Sequence, residues 1–241
     1  MDRTKNKGEE LRETHTNADM SHQNSLGYKV GVFIESIRDN GIKSTVDKIA
    51  QQINYKIKGV DFSTQNLHDL TLTGDYKEHG TALVSTSKDF FTKVFSDLEE
   101  IVGKKIEKNI FIDYGSGKGG AIIQAKNTGF KESIGIEFAK ELHEVAEENI
   151  KKLGLSGVTS YFQDATTYNP PEDISVIYLF NPFDEVVMDM VAKNIESLKS
   201  DFKNDVYVVY GNPSTQVLEN YFTFLDKREH KSGARVNYYK V

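Results

Sequence analysis

A glycine-rich turn at residues 113–120 constrains the fold more than any other feature of the sequence. It reads Asp113-Tyr114-Gly115-Ser116-Gly117-Lys118-Gly119-Gly120, and it follows an apolar, strand-like segment and precedes a helical pattern. Glycine lets the backbone turn tightly and lets a ligand approach without a Cβ in the way. Because alternating glycines are costly in chain entropy, we expect a loop that binds a ligand rather than a plain turn.

Strand-like and helix-like segments alternate from this turn onwards. The strand-like segments are NIFIDY, ESIGIE, VTSYFQ, ISVIYLF and DVYVVY, and helical patterns lie near residues 119–128, 139–153 and 184–199. Such alternation predicts an α/β fold with a doubly wound, mostly parallel sheet. The last two apolar segments, YFTFLDKRE and ARVNYYKV, are separated by Lys231-Ser232-Gly233 and predict a C-terminal antiparallel hairpin.

The chain before residue 105 has a different character. Residues 1–26 carry almost no large apolar side chains, so we predict a disordered tail. Apolar residues between Tyr28 and Ile53 recur at near-helical spacing and are interrupted at Asp39-Asn40-Gly41, which predicts two short helices. Another helix is predicted from about Ser87. These segments divide the chain into a tail (1–26), a helical N-terminal extension or lid (27–104) and a ligand-binding domain (105–241).

The composition excludes several kinds of site and partner. The 241 residues include no cysteine, which rules out disulfides and thiolate metal sites, and no His and carboxylate residues have metal-binding spacing. No apolar run approaches the ~20 residues that span a bilayer, and residues 1–20 contain no apolar signal-peptide region. We therefore expect no metal, no membrane partner and a cytoplasmic location.

Three carboxylates lie at, or directly after, the carboxyl ends of the first three predicted strands. Asp113 lies two residues before Gly115, Glu137 ends the segment IGIE, and Asp164 comes directly after the third strand. Asp113 suits a cationic ligand and would repel a pyrophosphate. Glu137 can accept hydrogen bonds from ribose hydroxyls, as in nicotinamide enzymes, and Asp164 can accept the amino protons of adenine. The loop alone also fits the G-x-G-x-x-G pattern of dinucleotide-binding proteins, but the three acids in this order favour S-adenosylmethionine.

Residues 109–212 resemble class I S-adenosylmethionine-dependent methyltransferases. The motifs IDYGSGKGG, IGIEF, QDAT and LFNPF carry this resemblance, in the order and spacing of that family. The resemblance implies a Rossmann-like fold, S-adenosyl-L-methionine as the cofactor, and methyl transfer as the activity. It also implies a cofactor pocket lined by Asp113, Gly115, Ser116, Gly117, Gly119, Glu137, Asp164, Ala165 and Asn181.

The fourth predicted strand ends in Asn181-Pro182-Phe183, and these three residues are the candidate catalytic group. Ligands bind beyond the carboxyl ends of strands in open α/β sheets. There the Asn181 carbonyl and a neighbouring backbone carbonyl can accept protons from an amine, and Phe183 can stack on the acceptor. An alternative interpretation is a strand-to-helix turn with Phe183 in the core.

Two family motifs resemble this tripeptide. One is the Asn-Pro-Pro-aromatic motif of amino-group methyltransferases, from which one proline is missing here. The other is the Asn-Asn-Phe motif of SET-independent histone-lysine methyltransferases, in which Pro182 replaces the second Asn. Both resemblances imply a nitrogen acceptor.

The charge balance bears on the identity of the acceptor. A formal net charge of −6 disfavours broad binding to phosphate backbones. We therefore expect the acceptor to be a protein side chain or a small molecule rather than a nucleic acid. Two other functions stay open: an NAD(P)-dependent oxidoreductase, and a non-catalytic nucleoside-binding or interaction protein with the same fold.

Overall fold

The computed structural model describes residues 26–63, 70–71, 88–230 and 232–241. The chain divides into two compact units, Met1–Tyr55 and Lys56–Val241. The predicted disordered tail lies outside the described residues, apart from Leu26, which begins the first helix. Within the described residues, no helix is long and apolar enough to cross a membrane.

Helix α1 spans Leu26–Lys58 and is interrupted at Gly41, which has φ 81° and ψ 161°. The sequence predicts a break at this point, because glycine adopts positive φ without a steric cost. The Thr45 hydroxyl donates a hydrogen bond to the Gly41 carbonyl across the break, at 3.0 Å. The helical pattern between Tyr28 and Ile53 is therefore two helical stretches joined at a glycine.

The second unit is built on one seven-stranded sheet. Its strands are β1 (Ile110–Tyr114), β2 (Glu132–Glu137), β3 (Val158–Phe162), β4 (Ile174–Phe180), β5 (Tyr207–Gly211), β6 (Thr223–Glu229) and β7 (Arg235–Lys240). The spatial order is β3-β2-β1-β4-β5-β7-β6. The first five strands are parallel, and β7 is antiparallel to both β5 and β6. The predicted Rossmann-like, mostly parallel sheet with a C-terminal antiparallel hairpin is confirmed.

Helices cover both faces of this sheet. They are α2 (Lys88–Val102), α3 (Gly120–Asn127), α4 (Lys140–Leu153) and α5 (Glu185–Ser197). Alternate residues of each strand point to opposite faces, so β1 sends Phe111 to the core beneath α2 and α3, and Ile112 to the core beneath α5. The chain order reverses between β1 and β4, and ligands bind at such a switch point.

Helix α2 stabilises the sheet through an apolar face. Phe91, Val94 and Leu98 are fully buried and pack in the same core as Phe111 of β1. Their spacing of three and four residues places them on one side of the helix. This last helix of the N-terminal extension is therefore part of the same folded unit as the sheet.

We predict that Leu98→Ala lowers the free energy of unfolding by about 2–5 kcal/mol, because it leaves a cavity in a fully buried position. Urea unfolding followed by circular dichroism measures this. Ser96→Ala on the exposed side of the same helix is the control, and its effect should stay within about 0.5 kcal/mol. Equal effects of the two substitutions would contradict the assigned packing of α2.

Candidate active site

The glycine loop joins β1 to α3 at the carboxyl edge of the sheet. Gly115, Gly117 and Gly119 have φ values of 80°, 54° and 82°, in the left-handed region that favours glycine. The amides of Gly115 and Ser116 both donate to the Ile136 carbonyl of β2, at 2.9 and 3.1 Å. The loop is therefore held in a fixed conformation against the neighbouring strand.

The glycine loop lies against the residues that follow β4. A Cβ added at Gly115 would be only 2.5 Å from the Cβ of Pro182. This close approach arises because β1 and β4 are adjacent, with Tyr114 opposite Leu179. The structure thus brings the glycine loop and Asn181-Pro182-Phe183 together, although about 65 residues separate them in the chain.

Two buried carboxylates lie beside the loop. Asp113 and Glu137 are 4% and 3% exposed. Glu137 accepts hydrogen bonds from the amides of Gly117 and Ala139, at 2.7 and 2.8 Å. Burial raises the pKa of Asp113 to about 8, and the negative charge of Glu137 adds to this effect.

Burial also raises the pKa of Glu137 to about 7, against the opposing effect of its backbone hydrogen bonds. A buried carboxylate regains its charge when a cation or additional hydrogen-bond donors reach it. Asp113 and Glu137 are therefore suited to a ligand that carries a positive charge and hydroxyl groups. In the part of the chain that the structure describes, no group of three or more His, Asp or Glu side chains is arranged to hold a metal ion.

Asp164 and Ala165 follow β3 at the same edge. Asp164 Oδ1 accepts hydrogen bonds from the amide and the hydroxyl of Thr166, each at 2.8 Å, and so begins the short 3₁₀ helix Ala165–Thr167. Ala165 is buried in the core beneath α5. The amide of Gln163 donates to the Glu137 carbonyl at 2.9 Å, which fixes this turn beside the second carboxylate.

The residues after β4 have an unusual backbone. Asn181 has φ 47°, which is rare for a residue with a side chain. Phe183 is 5% exposed and belongs to the core beneath α5, in keeping with the alternative interpretation of that residue. Asn212, which follows the adjacent strand β5, also has φ 47°. Its side-chain oxygen accepts a hydrogen bond from the Arg235 amide at 3.1 Å.

The sequence did not predict that the segment before α2, here residues 61–63, contacts the glycine loop. The Lys118 ammonium, 3% exposed, donates to Asp61 Oδ2 at 2.7 Å and to the Ser63 hydroxyl at 3.0 Å. Fully buried Asn149 accepts from the Asp61 amide and donates to the carbonyls of Asp61 and Lys118. Partial burial alone would raise the pKa of Asp61, but hydrogen bonds from Lys118 and Ser63 lower it to about 2.

A second contact of the segment before α2 joins Thr71 to the start of α4, near Glu137. The amide of Thr71 donates to Glu141 Oε2 at 2.7 Å, and the Thr71 carbonyl accepts from the Lys140 amide at 2.9 Å. Lys140 is the first residue of α4, three residues after Glu137. Asp61 is thus bonded to the glycine loop, and Thr71 is bonded to the start of α4.

Comparison with known proteins agrees with this geometry. A family model described as "Conserved hypothetical protein 95" matches residues 86–240. No curated protein shows significant sequence similarity to the chain. Among solved structures, an RNA methyltransferase from Salinibacter ruber in complex with S-adenosyl-L-homocysteine matches with a TM-score of 0.51 and 19% identity. That match covers 66% of this chain and 94% of the other.

Two further solved structures are similar to the chain. One is a SAM-dependent methyltransferase from Aquifex aeolicus, with a TM-score of 0.47, 17% identity, and coverage of 65% of this chain and all of the other. The other is the Thermus thermophilus 16S rRNA N2 G1207 methyltransferase, with a TM-score of 0.49, 14% identity, and coverage of 65% and 43%. The predicted class I methyltransferase fold is confirmed by the family match and by the Salinibacter ruber structure, which was solved with S-adenosyl-L-homocysteine.

The predicted preference for a protein or small-molecule acceptor over nucleic acid is wrong. A family model matches residues 86–240, and the fold of the chain is shared with an RNA methyltransferase. The preference rested on a net charge of −6, which averages over the whole chain. Binding depends on the charge near the site, which an average does not describe. Neither the family model nor the structures named above support the likeness to histone-lysine methyltransferases.

We predict that Gly115→Ala weakens S-adenosylhomocysteine binding at least about tenfold, or about 1.4 kcal/mol, because the new Cβ meets Pro182. Isothermal titration measures the affinity. Gly233→Ala is a matched control, since its φ of 79° imposes the same backbone strain while a Cβ there meets nothing within 4 Å. Unchanged affinity in a folded Gly115→Ala variant would show that the loop is not part of the binding site.

We also predict that S-adenosylmethionine binding at pH 7 releases protons. The pKa values of Asp113 and Glu137 are raised above 3.8 and 4.5, so their contribution to stability is present below pH ~4 and is lost as the pH rises through about 7 to 8. A cationic ligand favours the charged carboxylates and displaces their protons. Binding heats at pH 7 should therefore differ between buffers of different ionisation enthalpy, and the difference should vanish above pH ~9. Heats independent of the buffer at pH 7 would contradict this.

Proposed function

The chain belongs to the conserved hypothetical protein 95 family, and from this premise we propose that it is an S-adenosylmethionine-dependent methyltransferase that methylates a nitrogen of an RNA base. The observation that carries the proposal is the close approach of Gly115 to Pro182. It places the tripeptide Asn181-Pro182-Phe183 directly beside the loop that the cofactor requires.

The residues around the glycine loop fit the proposed cofactor. When bound, S-adenosylmethionine supplies a methyl group activated by a positively charged sulfur. Asp113 offers a buried carboxylate that becomes charged when a cationic ligand reaches it. Glu137 keeps acceptor capacity for ribose hydroxyls beyond its bonds to the Gly117 and Ala139 amides. Gly115 and Gly117 have no side chain to obstruct a ligand, Gly119 lets the same loop pack closely against Ala146 of α4, and Ser116 completes the loop. Asp164, Ala165 and Asn181 would complete the pocket at the ends of β3 and β4.

Asn181 is the proposed residue that orients the acceptor. Its side-chain carbonyl and a neighbouring backbone carbonyl accept hydrogen bonds from the amine, which directs the nitrogen lone pair towards the methyl group. The new N–CH₃ bond forms as the S–CH₃ bond breaks, and the proton of the amine passes to solvent. The left-handed backbone of Asn181 supports this role, because such strain persists where the surrounding structure imposes it and is concentrated at functional sites.

Pro182 and Phe183 have supporting roles in this proposal. Pro182 contacts the glycine loop and so sets the distance between the acceptor and the cofactor. Phe183 is buried beneath α5, so it anchors the tripeptide in the core.

An RNA acceptor is supported by one observation and by a general requirement of base modification. The fold is shared with an RNA methyltransferase from Salinibacter ruber. Enzymes that modify a base need it to be accessible outside a helical stack, and single-stranded RNA segments provide such bases.

The test uses radiolabelled S-adenosylmethionine and RNA from cells that lack this protein. Asn181→Ala and Asn181→Gly should each lower kcat by about 10²-fold or more, because they remove the group that directs the amine, while the affinity for S-adenosylhomocysteine stays within about threefold. The glycine variant keeps the positive φ without strain. Asn204→Ala is the control, since Asn204 precedes β5 at the opposite edge of the sheet.

Two outcomes would contradict the proposal. Methyl transfer to protein or metabolite fractions, with none to RNA, would overturn the acceptor. Cofactor binding without transfer to any fraction would favour the non-catalytic alternative, and binding of NADH in place of S-adenosylhomocysteine would favour the oxidoreductase.

A further inference from the structure

A cavity of about 980 Å³ lies between the β6–β7 hairpin and the residues after β5. It begins at Pro213, directly after Asn212, and includes Glu185, the first residue of α5. The first residues of β7 lie beside the end of β5, with Val236 opposite Gly211. The cavity therefore opens at the same edge of the sheet as Asn181.

Two basic side chains of the hairpin share one face of the sheet. Lys227 pairs with Asn237 and Glu229 pairs with Arg235 across β6 and β7, and residues directly opposite one another lie on the same face. Lys227 and Arg235 form no ion pair with any residue in the described part of the chain. Arg228 also borders the cavity, but its charge is already paired with Asp226 at 3.0 Å.

The rest of the lining is polar. Ser214, Thr215, Gln216 and Asn220 contribute hydroxyl and amide groups. The two carboxylates are Glu229 and Glu185, and the latter accepts a hydrogen bond from the Thr215 hydroxyl at 3.0 Å. Pockets for small apolar ligands are lined mainly by hydrophobic and aromatic side chains. This cavity suits a ligand with anionic groups and many hydroxyls.

We propose that this cavity binds the sugar–phosphate backbone of the RNA strand beside the methylated base, with Lys227 and Arg235 contacting phosphates. The proposal rests on the proposed function, since it places the acceptor strand at the edge that holds Asn181. Lys and Arg contacts to phosphates position a nucleic acid without reading its sequence. Glu185, Glu229 and the neighbouring amides can accept hydrogen bonds from ribose 2′-hydroxyls, which single-stranded DNA lacks.

The test compares two double variants with the same change in net charge. Lys227→Glu/Arg235→Glu alters the cavity, and Lys126→Glu/Lys131→Glu alters the opposite edge, where Lys131 precedes β2. Binding of a fluorescein-labelled single-stranded RNA of mixed sequence is measured by anisotropy at several salt concentrations. Methylation of RNA from cells that lack this protein, the substrate in the test of the Asn181 variants, is measured in parallel.

The cavity variant should bind the labelled RNA at least about tenfold more weakly. The slope of log affinity against log salt concentration should become less steep by about 1.4, or about 0.7 for each phosphate contact. KM for RNA should rise by a similar factor, while kcat and S-adenosylhomocysteine affinity change less than about threefold. The control variant and Lys227→Arg should resemble the wild type. A single-stranded DNA of the same sequence should bind more weakly than the RNA.

The failures of the two proposals are distinguishable. If the wild type methylates RNA and the cavity variant binds and methylates it equally well, the cavity assignment is overturned while the proposed function stands. If the wild type methylates no RNA, the proposed function is overturned, and the assignment of this cavity to the acceptor strand is overturned with it.

Discussion

The close approach of Gly115 to Pro182 is the constraint on which the rest of the site depends. A Cβ at residue 115 would come within 2.5 Å of the proline Cβ, so only a residue without a side chain lets the two loops meet. The approach follows from the adjacency of β1 and β4, which is a property of the whole sheet. The apolar strands that bury the core thus also determine where the glycine loop and Asn181 come together, so folding and site assembly share one cause.

The two buried carboxylates show that the site is not arranged for maximum stability of the protein. Burial without a cationic partner disfavours the charged form, and this raises the pKa values of both Asp113 and Glu137 into the neutral range. Glu137 also holds the glycine loop through the Gly117 amide. A ligand that stabilises the charge on Glu137 therefore strengthens the same hydrogen bond that shapes its own binding loop, because a charged acceptor forms the stronger bond.

Local patterns in the sequence predicted the fold and most of the candidate pocket. Alternating apolar segments indicated the parallel sheet, and Asp113, Glu137 and Asp164 each lie close enough to the carboxyl end of a strand to be placed by the strand alone. The Lys118–Asp61–Asn149 cluster could not be found in this way, because Asp61 lies 57 positions from Lys118 and 88 positions from Asn149, in a segment without a periodic pattern. The acceptor preference failed for a related reason, since a total charge carries no information on where the charges lie.

The contacts of Lys118 extend the role of the glycine loop beyond the sheet. A lysine that is almost fully buried requires a partner, and here the partner, Asp61, comes from the segment before α2. Asn149 of α4 adds two hydrogen bonds to Asp61 and one to the Lys118 carbonyl, so residues 61–63 are held by both the glycine loop and α4. Since Thr71 is fastened three residues after Glu137, the N-terminal segment has fixed points beside both parts of the candidate cofactor pocket. Substitutions at Asp61 or Thr71 would therefore act on the candidate pocket through Lys118 and α4.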